Sequence, residues 1–216
     1  MSALPSPPPA SASQPGLLTR IYLHFRDDIA KWCGEDRSVA LRVPLLLLMG
    51  YIAVNQWLDP AYWSIFGHLN LPIHEGGHLI FRFAGEFICV AGGTFLQCFV
   101  PVASMFMFLK QRDYFAIALC FGWLSTNLYG VALYMADAQK QILQLVTVGD
   151  TGGRQITHDF HYLFSKLGVL RQCETIGFLT RQLGSLCMLL CLGGMIWLLW
   201  KIAKSPVKRG PAVRID

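Results

Sequence analysis

The sequence predicts an all-α fold: a polytopic membrane helical bundle with about four full spans, a short half-helix and an N-terminal amphipathic helix. Of the 216 residues, 54% are hydrophobic and only 14% are charged, whereas soluble domains carry about 25% charged residues. The mean hydropathy is +0.44. Several apolar runs approach or exceed the roughly 20 residues that a helix needs to cross a bilayer. These features exclude an ordinary soluble domain.

The N-terminal part divides into a tail and a helix. Residues 1–16 are rich in Pro, Ser and Ala and carry no charged side chain, so we expect a disordered tail. Across residues 17–38, apolar residues recur with helical period and charged residues occupy the other face. This pattern is typical of an amphipathic helix lying on a membrane surface. Packing of the same face against another part of the protein explains the pattern equally well.

A membrane domain is expected over residues 39–204, followed by a basic tail over residues 205–216. Residues 71–84 are apolar but too short for a full crossing. A polar connection, residues 137–182, separates the last two spans. The expected spans are residues 39–58, 87–109, 114–136 and 183–202.

The distribution of Lys and Arg predicts the topology. Much of the net charge of +5 comes from the segments near the two ends of the chain, so both termini are expected to be cytoplasmic. Four crossings then make residues 71–84 a half-helix that enters from the non-cytoplasmic side, with the connection 137–182 on that same side. No basic stripe interleaved with aromatic residues lies outside the membrane flanks, which argues against nucleic-acid binding. The lipid bilayer is the expected partner.

The short apolar segment contains an H-E-x-x-H motif, whose members are His74, Glu75, Gly76, Gly77 and His78. Residues at i and i+4 leave one face of a helix, so both imidazoles can bind one Zn²⁺. Glu75 would stand beside the metal as general base for an attacking water. A chance match is the alternative interpretation. Titratable side chains are costly in an apolar segment unless they are used, which favours a metal site.

A catalytic zinc takes three protein ligands, so a third is needed from elsewhere in the chain. Asp159 is slightly favoured, or His158 binds while Asp159 orients it. Alternatively, Asp159 or Thr157 merely caps a helix. The seven cysteines contain no C-x-x-C pair, which indicates neither a thiolate zinc site nor a disulfide framework. The candidates are Asp137, Asp150, His158, Asp159 and His161.

The segments HEGGHLIF, NLYGVALYMADAQ and GGRQITHDFHYLF resemble small bacterial membrane proteins grouped with the site-2 protease family of intramembrane zinc metalloproteases. The resemblance covers roughly residues 70–175. It implies that His74, His78 and, by analogy, Asp159 bind Zn²⁺ and that Glu75 activates water. It also implies a bacterial inner-membrane location and a membrane-protein or peptide substrate.

The chain departs from that family in lacking its later Asn-Pro-x-x-Asp-Gly type motif. Asn127 is interpreted as a hydrogen-bond donor to substrate, with packing between helices as the alternative. Two other functions stay open. The protein could bind a metal without proteolysis, in a structural, sensing or transport role, or it could be a membrane scaffold with a vestigial motif. Only proteolysis requires Glu75.

Overall fold

The computed structural model describes residues 16–35, 37–143 and 158–205, which form helices joined by turns and contain no strand. Apart from Gly16 and Ser205, the two expected tails lie outside the described residues, as does Asp150 of the connection. The helices are α1 (Leu17–Cys33), α2 (Val43–Leu58), α3 (Gly67–Phe81), α4 (Glu86–Lys110), α5 (Tyr114–Ala136), α6 (Asp159–Leu167) and α7 (Cys173–Lys204), with a short 3₁₀ helix at Leu170–Gln172 before α7.

Three of these helices, α4, α5 and α7, are long and apolar enough to cross a membrane. The chain is therefore an all-α protein with the helices of a membrane bundle. α2 is apolar but has 16 residues, short of the roughly 20 that a straight crossing takes.

α7 begins at Cys173, well before the expected start of the last span at residue 183. The expected boundary, which places residues 173–182 in the polar connection, is therefore wrong. The sequence has no proline there, and its one glycine, Gly177, lies directly against α5: a Cβ on Gly177 would stand 2.7 Å from the Ala132 carbonyl oxygen. Packing against α5 thus stabilises the extension.

The motif helix α3 runs from Gly67 to Phe81 rather than over residues 71–84. It starts earlier although Pro72 lies inside it and removes one backbone hydrogen bond. Tertiary contacts hold this first turn, because Asn70 is 8% exposed and its Oδ1 accepts a 2.8 Å hydrogen bond from Trp123 Nε1. The helix ends early because the chain turns at Gly85, which has a φ of +92°, a value that glycine adopts readily.

The packing interpretation of the N-terminal amphipathic helix holds for the C-terminal end of α1, whereas the apolar face of its first half is exposed. At its C-terminal end, Trp32 and Cys33 are each 3% exposed and belong to the core. Asp28 forms a 3.6 Å ion pair with Arg112 in the turn between α4 and α5. The apolar residues of its first half are exposed: Leu17, Leu18, Ile21, Tyr22 and Phe25.

The bundle is built around two interfaces, α5 against α7 and α3 against α4, and α4 also packs on α5. One core joins α2, α5 and α7; its fully buried members include Met49, Ile52, Met188, Cys191 and Met195. A second core holds α6 on the end of α5 and includes Val131, Ala138, Phe160, Leu163 and Phe164. The second core therefore brings the segment after the connection back onto the bundle. All seven cysteines are free.

The two glycines of the motif have different surroundings, which gives a direct prediction. A Cβ on Gly77 would overlap the Gly92 carbonyl oxygen of α4, whereas a Cβ on Gly76 would meet only Leu96 Cδ2 at 3.9 Å. We expect Gly77→Ala to lower the free energy of unfolding by about 1–3 kcal/mol or more through overpacking. Gly76→Ala should leave it unchanged or raise it by up to about 1 kcal/mol through helix propensity.

Unfolding of the two variants in detergent micelles checks this prediction. Each variant is the control for the other, since both add one methyl group to neighbouring positions of α3. Equal destabilisation by the two substitutions would contradict the close approach of α3 and α4.

Candidate metal centre

The two motif histidines lie one turn apart on α3 and point at the same place. Their ring centroids are 4.7 Å apart, and His74 Nε2 is 3.0 Å from His78 Nε2. Their side chains are 12% and 25% exposed, respectively. The i, i+4 spacing therefore brings two imidazole nitrogens together in a largely buried place.

Asp159, the first residue of α6, completes the cluster. Its Oδ2 lies 3.0 Å from His74 Nε2 and 3.3 Å from His78 Nε2, and its side chain is 13% exposed. Asp159 is 85 residues away from His74 in the chain. The two segments meet because the second core seats α6 on the end of α5, beside α3 and α4.

The second nitrogen of each ring fixes its tautomer. His74 Nδ1 is 3.1 Å from Gln97 Oε1, and His78 Nδ1 is 2.9 Å from the Cys89 carbonyl oxygen. Both partners are acceptors, so each Nδ1 carries the hydrogen and each Nε2 of a neutral ring presents a lone pair. Two imidazole lone pairs and a carboxylate oxygen then face one another, an arrangement that either a proton or a metal cation between them would stabilise.

The donor geometry fits a small divalent ion. A tetrahedral Zn²⁺ at about 2.0–2.1 Å from each ligand separates its ligand atoms by about 3.3 Å, and the three distances here are 3.0, 3.0 and 3.3 Å. His74, His78 and Asp159 are thus a group that could hold a metal ion. Two imidazoles and one carboxylate suit zinc and leave a fourth position open, although other first-row divalent ions accept the same ligands.

With protons alone in the site, the same three groups stabilise one another as an ion pair. Burial raises the pKa of the Asp159 carboxyl, but hydrogen bonds from His74 and His78 lower it by more, so the net shift is downward. The carboxylate is therefore charged at neutral pH, the form in which it binds a metal.

His158, the alternative third ligand, lies outside the cluster. It is 2% exposed, and its Nδ1 accepts a 3.2 Å hydrogen bond from the His161 backbone N–H, which makes His158 the N-cap of α6. The expectation that Thr157 or Asp159 caps this helix is thus wrong for Asp159, and Thr157 lies outside the described residues. Burial lowers the pKa of His158, so the ring is neutral at pH 7.

Two other candidate ligands organise the chain where it leaves α5. Asp137 accepts hydrogen bonds from the backbone N–H groups of Ile142 (3.1 Å) and Leu143 (3.0 Å). His161 Nδ1 lies 2.9 Å from the Ala138 carbonyl oxygen. Both side chains therefore shape the start of the connection and are not members of the three-residue cluster.

Glu75 and Asn127 have contrasting environments. Glu75 follows His74 on α3, is partly exposed, and forms no hydrogen bond or ion pair with the described residues. Asn127 is 1% exposed. Its Nδ2 donates to the Trp123 carbonyl oxygen at 3.3 Å, and its Oδ1 has no partner within the described ranges. The environment of Asn127 is that of a buried helix-packing residue.

Sequence reasoning missed Gln97 and Tyr134. Gln97 orients His74, and a glutamine inside an apolar span is a signal that could have identified it. The Tyr134 hydroxyl accepts a 3.0 Å hydrogen bond from the Asp159 backbone N–H. Its ring packs on His158, with centroids 4.1 Å apart, and on Phe160 at 5.4 Å. No sequence signal identifies Tyr134, because a tyrosine near the end of a span is ordinary.

A glycine of α4 makes room for the two rings. A Cβ on Gly93 would stand 2.7 Å from both His74 Cε1 and His78 Nε2. Only a residue without a side chain lets α4 pass this close to the imidazoles.

Because Tyr134 anchors the residue that carries the carboxylate, Tyr134→Phe should weaken metal binding by about 10- to 100-fold, as loss of outer partners of metal ligands does. Phenylalanine keeps the ring packing and removes only the hydroxyl. Metal affinity measured by competition with a chelating dye checks this. The control is Tyr129→Phe on the same helix, which removes a 2.6 Å hydrogen bond to Ser185 and should leave metal affinity unchanged. Equal affinities of the two variants would contradict the positioning role.

Comparisons with protein-family models, with curated proteins and with solved structures each give no match to this chain.

Proposed function

We propose that the protein is a membrane-embedded zinc metallopeptidase of the site-2-protease type. In this proposal His74, His78 and Asp159 hold Zn²⁺ and Glu75 is the general base. The observation that carries it is the convergence of His74 Nε2, His78 Nε2 and Asp159 Oδ2 within 3.3 Å of one another. Glu75 directly follows His74, and its carboxylate forms no hydrogen bond or ion pair with the described residues.

The proposed topology has four crossings, α2, α4, α5 and α7, with α3 as a half-helix and both termini in the cytoplasm. The support for this topology is that the cationic residues that follow or end the helices lie at one end of the bundle, and the metal-ligand cluster lies towards the other end. Lys110 ends α4, Arg112 follows it, and Lys201 and Lys204 lie in the last turn of α7; we call this the basic end. The metal-ligand cluster lies by the opposite ends of these helices, and cationic flanks favour the cytoplasmic side. A bacterial inner membrane fits this arrangement.

The mechanism divides the work among the residues of the cluster. Bound zinc would supply the Lewis acidity that activates a water molecule and polarises the scissile carbonyl. Glu75 takes the proton of the attacking water and delivers it to the leaving amine. Gln97 and the Cys89 carbonyl hold the two imidazoles in the tautomer that leaves both Nε2 atoms free. Tyr134 holds the backbone of Asp159.

The proposed substrate is a membrane protein or peptide that reaches the site at the edge of the bilayer. Here Asn127 does not bind the substrate, because its amide is 1% exposed. Substrate selection then falls to the exposed apolar surface next to the motif, where Leu79, Ile80 and Phe83 are 60%, 61% and 82% exposed. Such a surface suits apolar peptide segments.

Metal removal and replacement test the proposal. Purified protein in detergent micelles is incubated with a pool of fluorescence-quenched peptides that have apolar centres. We expect cleavage that a zinc chelator abolishes and that added Zn²⁺ restores, while added Mg²⁺ does not, because Mg²⁺ prefers oxygen ligands. Cleavage that resists the chelator would contradict zinc catalysis. Tight zinc binding with no cleavage of any peptide would favour a non-proteolytic metal protein.

A further inference from the structure

A cavity of about 300 Å³ lies at the basic end, where α1 and α7 both finish. It lies at the C-terminal end of α7, away from the metal-ligand cluster on α3 and α6, and has no part in the proposed peptidase mechanism. The cavity is lined by Ala30, Cys33, Trp200, Lys201, Lys204 and Ser205. One wall thus comes from the last turn of α1 and the other from the last turn of α7.

The cavity is positively charged. Within the described residues, neither Lys201 nor Lys204 forms an ion pair with a carboxylate. Lys204 Nζ instead lies 4.3 Å from the centroid of Trp200, and Lys201 Nζ lies 5.3 Å from that of Trp197. A cation–π contact orients an ammonium group without neutralising its charge, so both groups remain able to bind an anion.

The thiol of Cys33, which lies in the cavity wall, is buried and lies within the electrostatic field of Lys201. Burial raises the pKa of Cys33, and the positive charges of Lys201 and Arg37 act in the opposite direction. Ser205 Oγ reaches the same end of α1, since it would lie 3.6 Å from a Cβ placed on Gly34. A hydroxyl and cationic groups therefore surround one small volume.

The end of α7 that lines the cavity has the residue composition of a membrane boundary. α7 is one of the helices long enough to cross a bilayer, and Trp197 and Trp200 near its end are 44% and 51% exposed. Tryptophan favours the headgroup region. The exposed apolar residues of the first half of α1, defined above, extend an apolar surface away from the cavity. A ligand with an anionic head and apolar tails matches this combination of surfaces.

We propose that this cavity binds the phosphate headgroup of an anionic phospholipid. Lys201 and Lys204 contact the phosphate, Ser205 donates a hydrogen bond to it, and α1 lies along the acyl chains. The lipid would fix α1 against α7 at the basic end. This inference is independent of the proposed peptidase activity, because none of its residues belongs to the metal-ligand cluster.

Native mass spectrometry of the full-length protein in detergent, titrated with phosphatidylglycerol or phosphatidylcholine, tests the proposal. We expect wild type to bind phosphatidylglycerol preferentially. The double variant Lys201→Gln/Lys204→Gln should lose about 10- to 30-fold in affinity, since each lysine contributes roughly one tenfold step or less. The control Lys110→Gln removes a positive charge from the same end of the bundle, outside the cavity and away from the ion pair between Arg112 and Asp28 of α1, and should bind as wild type does.

Two further arms make the result decisive. Lys201→Arg/Lys204→Arg keeps the charge and should retain phosphatidylglycerol binding, which separates a lost site from a misfolded variant. Inorganic phosphate in large excess should not displace the lipid. Equal losses in the two Gln variants, equal binding of phosphatidylcholine, or displacement by inorganic phosphate would each overturn the proposal.

Discussion

Glu75→Gln should abolish peptide cleavage while leaving the bound metal in place. Glutamine has nearly the same shape as glutamate but cannot accept the proton of the attacking water. General-base catalysis contributes about 10²- to 10⁴-fold in rate, so we expect kcat to fall by at least that range. Glu75 forms no hydrogen bond or ion pair with the described residues, so its replacement should not disturb the fold. Cleavage rate and metal content of the same preparation are the two measurements.

The matched control for this variant is Glu86→Gln. Glu86, in the first turn of α4, accepts a 2.9 Å hydrogen bond from the Tyr162 hydroxyl, and glutamine can still accept that bond. Cleavage by Glu86→Gln should stay close to the wild-type rate. If Glu75→Gln cleaves peptides as fast as wild type, Glu75 is not the base and the proposed mechanism is wrong.

Asp159→Asn should reduce the metal affinity more than His158→Asn does. Loss of an outer partner of a metal ligand already costs about 10- to 100-fold, and Asp159 supplies the carboxylate oxygen of the cluster itself. We therefore expect a loss beyond that range, measured by competition with a chelating dye. His158→Asn should bind metal much more tightly than Asp159→Asn, because asparagine is a good N-cap and can replace the cap that His158 provides.

The two variants place the same residue at adjacent positions, so their comparison distinguishes the two candidate third ligands. The unfolding transitions of both variants in detergent should show that each variant starts from intact helices. Strong metal binding by Asp159→Asn together with its loss in His158→Asn would mean that the imidazole is the ligand, contrary to the geometry described here.

Much of the helical architecture could be predicted because apolar runs and helical spacing act locally. The spans 87–109 and 114–136 agree with α4 and α5 to within a residue or two. The i, i+4 spacing predicted that His74 and His78 share a face, and their rings do lie together. The charged turn at Lys110–Asp113 also ends one helix and starts the next, with Asp113 as the N-cap of α5.

The remaining features depend on tertiary contacts that local patterns do not encode. The start of α7 at Cys173 depends on Gly177 packing against α5. His158 and Asp159 are adjacent at the start of α6. Which of the two side chains faces the motif histidines depends on the orientation of α6. Tyr134 reaches Asp159 only because α6 folds back onto α5. Neighbouring positions in sequence therefore acquire different roles from their orientation alone.

The proposed centre is one divalent cation held by two imidazoles and one carboxylate. X-ray absorption at the zinc edge of purified, zinc-loaded protein tests this most directly. We expect one zinc per chain with nitrogen and oxygen ligands at about 2.0–2.1 Å, outer scattering from two imidazoles, and no sulfur shell at about 2.3 Å. A sulfur shell from the free cysteines, or no zinc retained after purification at neutral pH, would contradict the proposed centre.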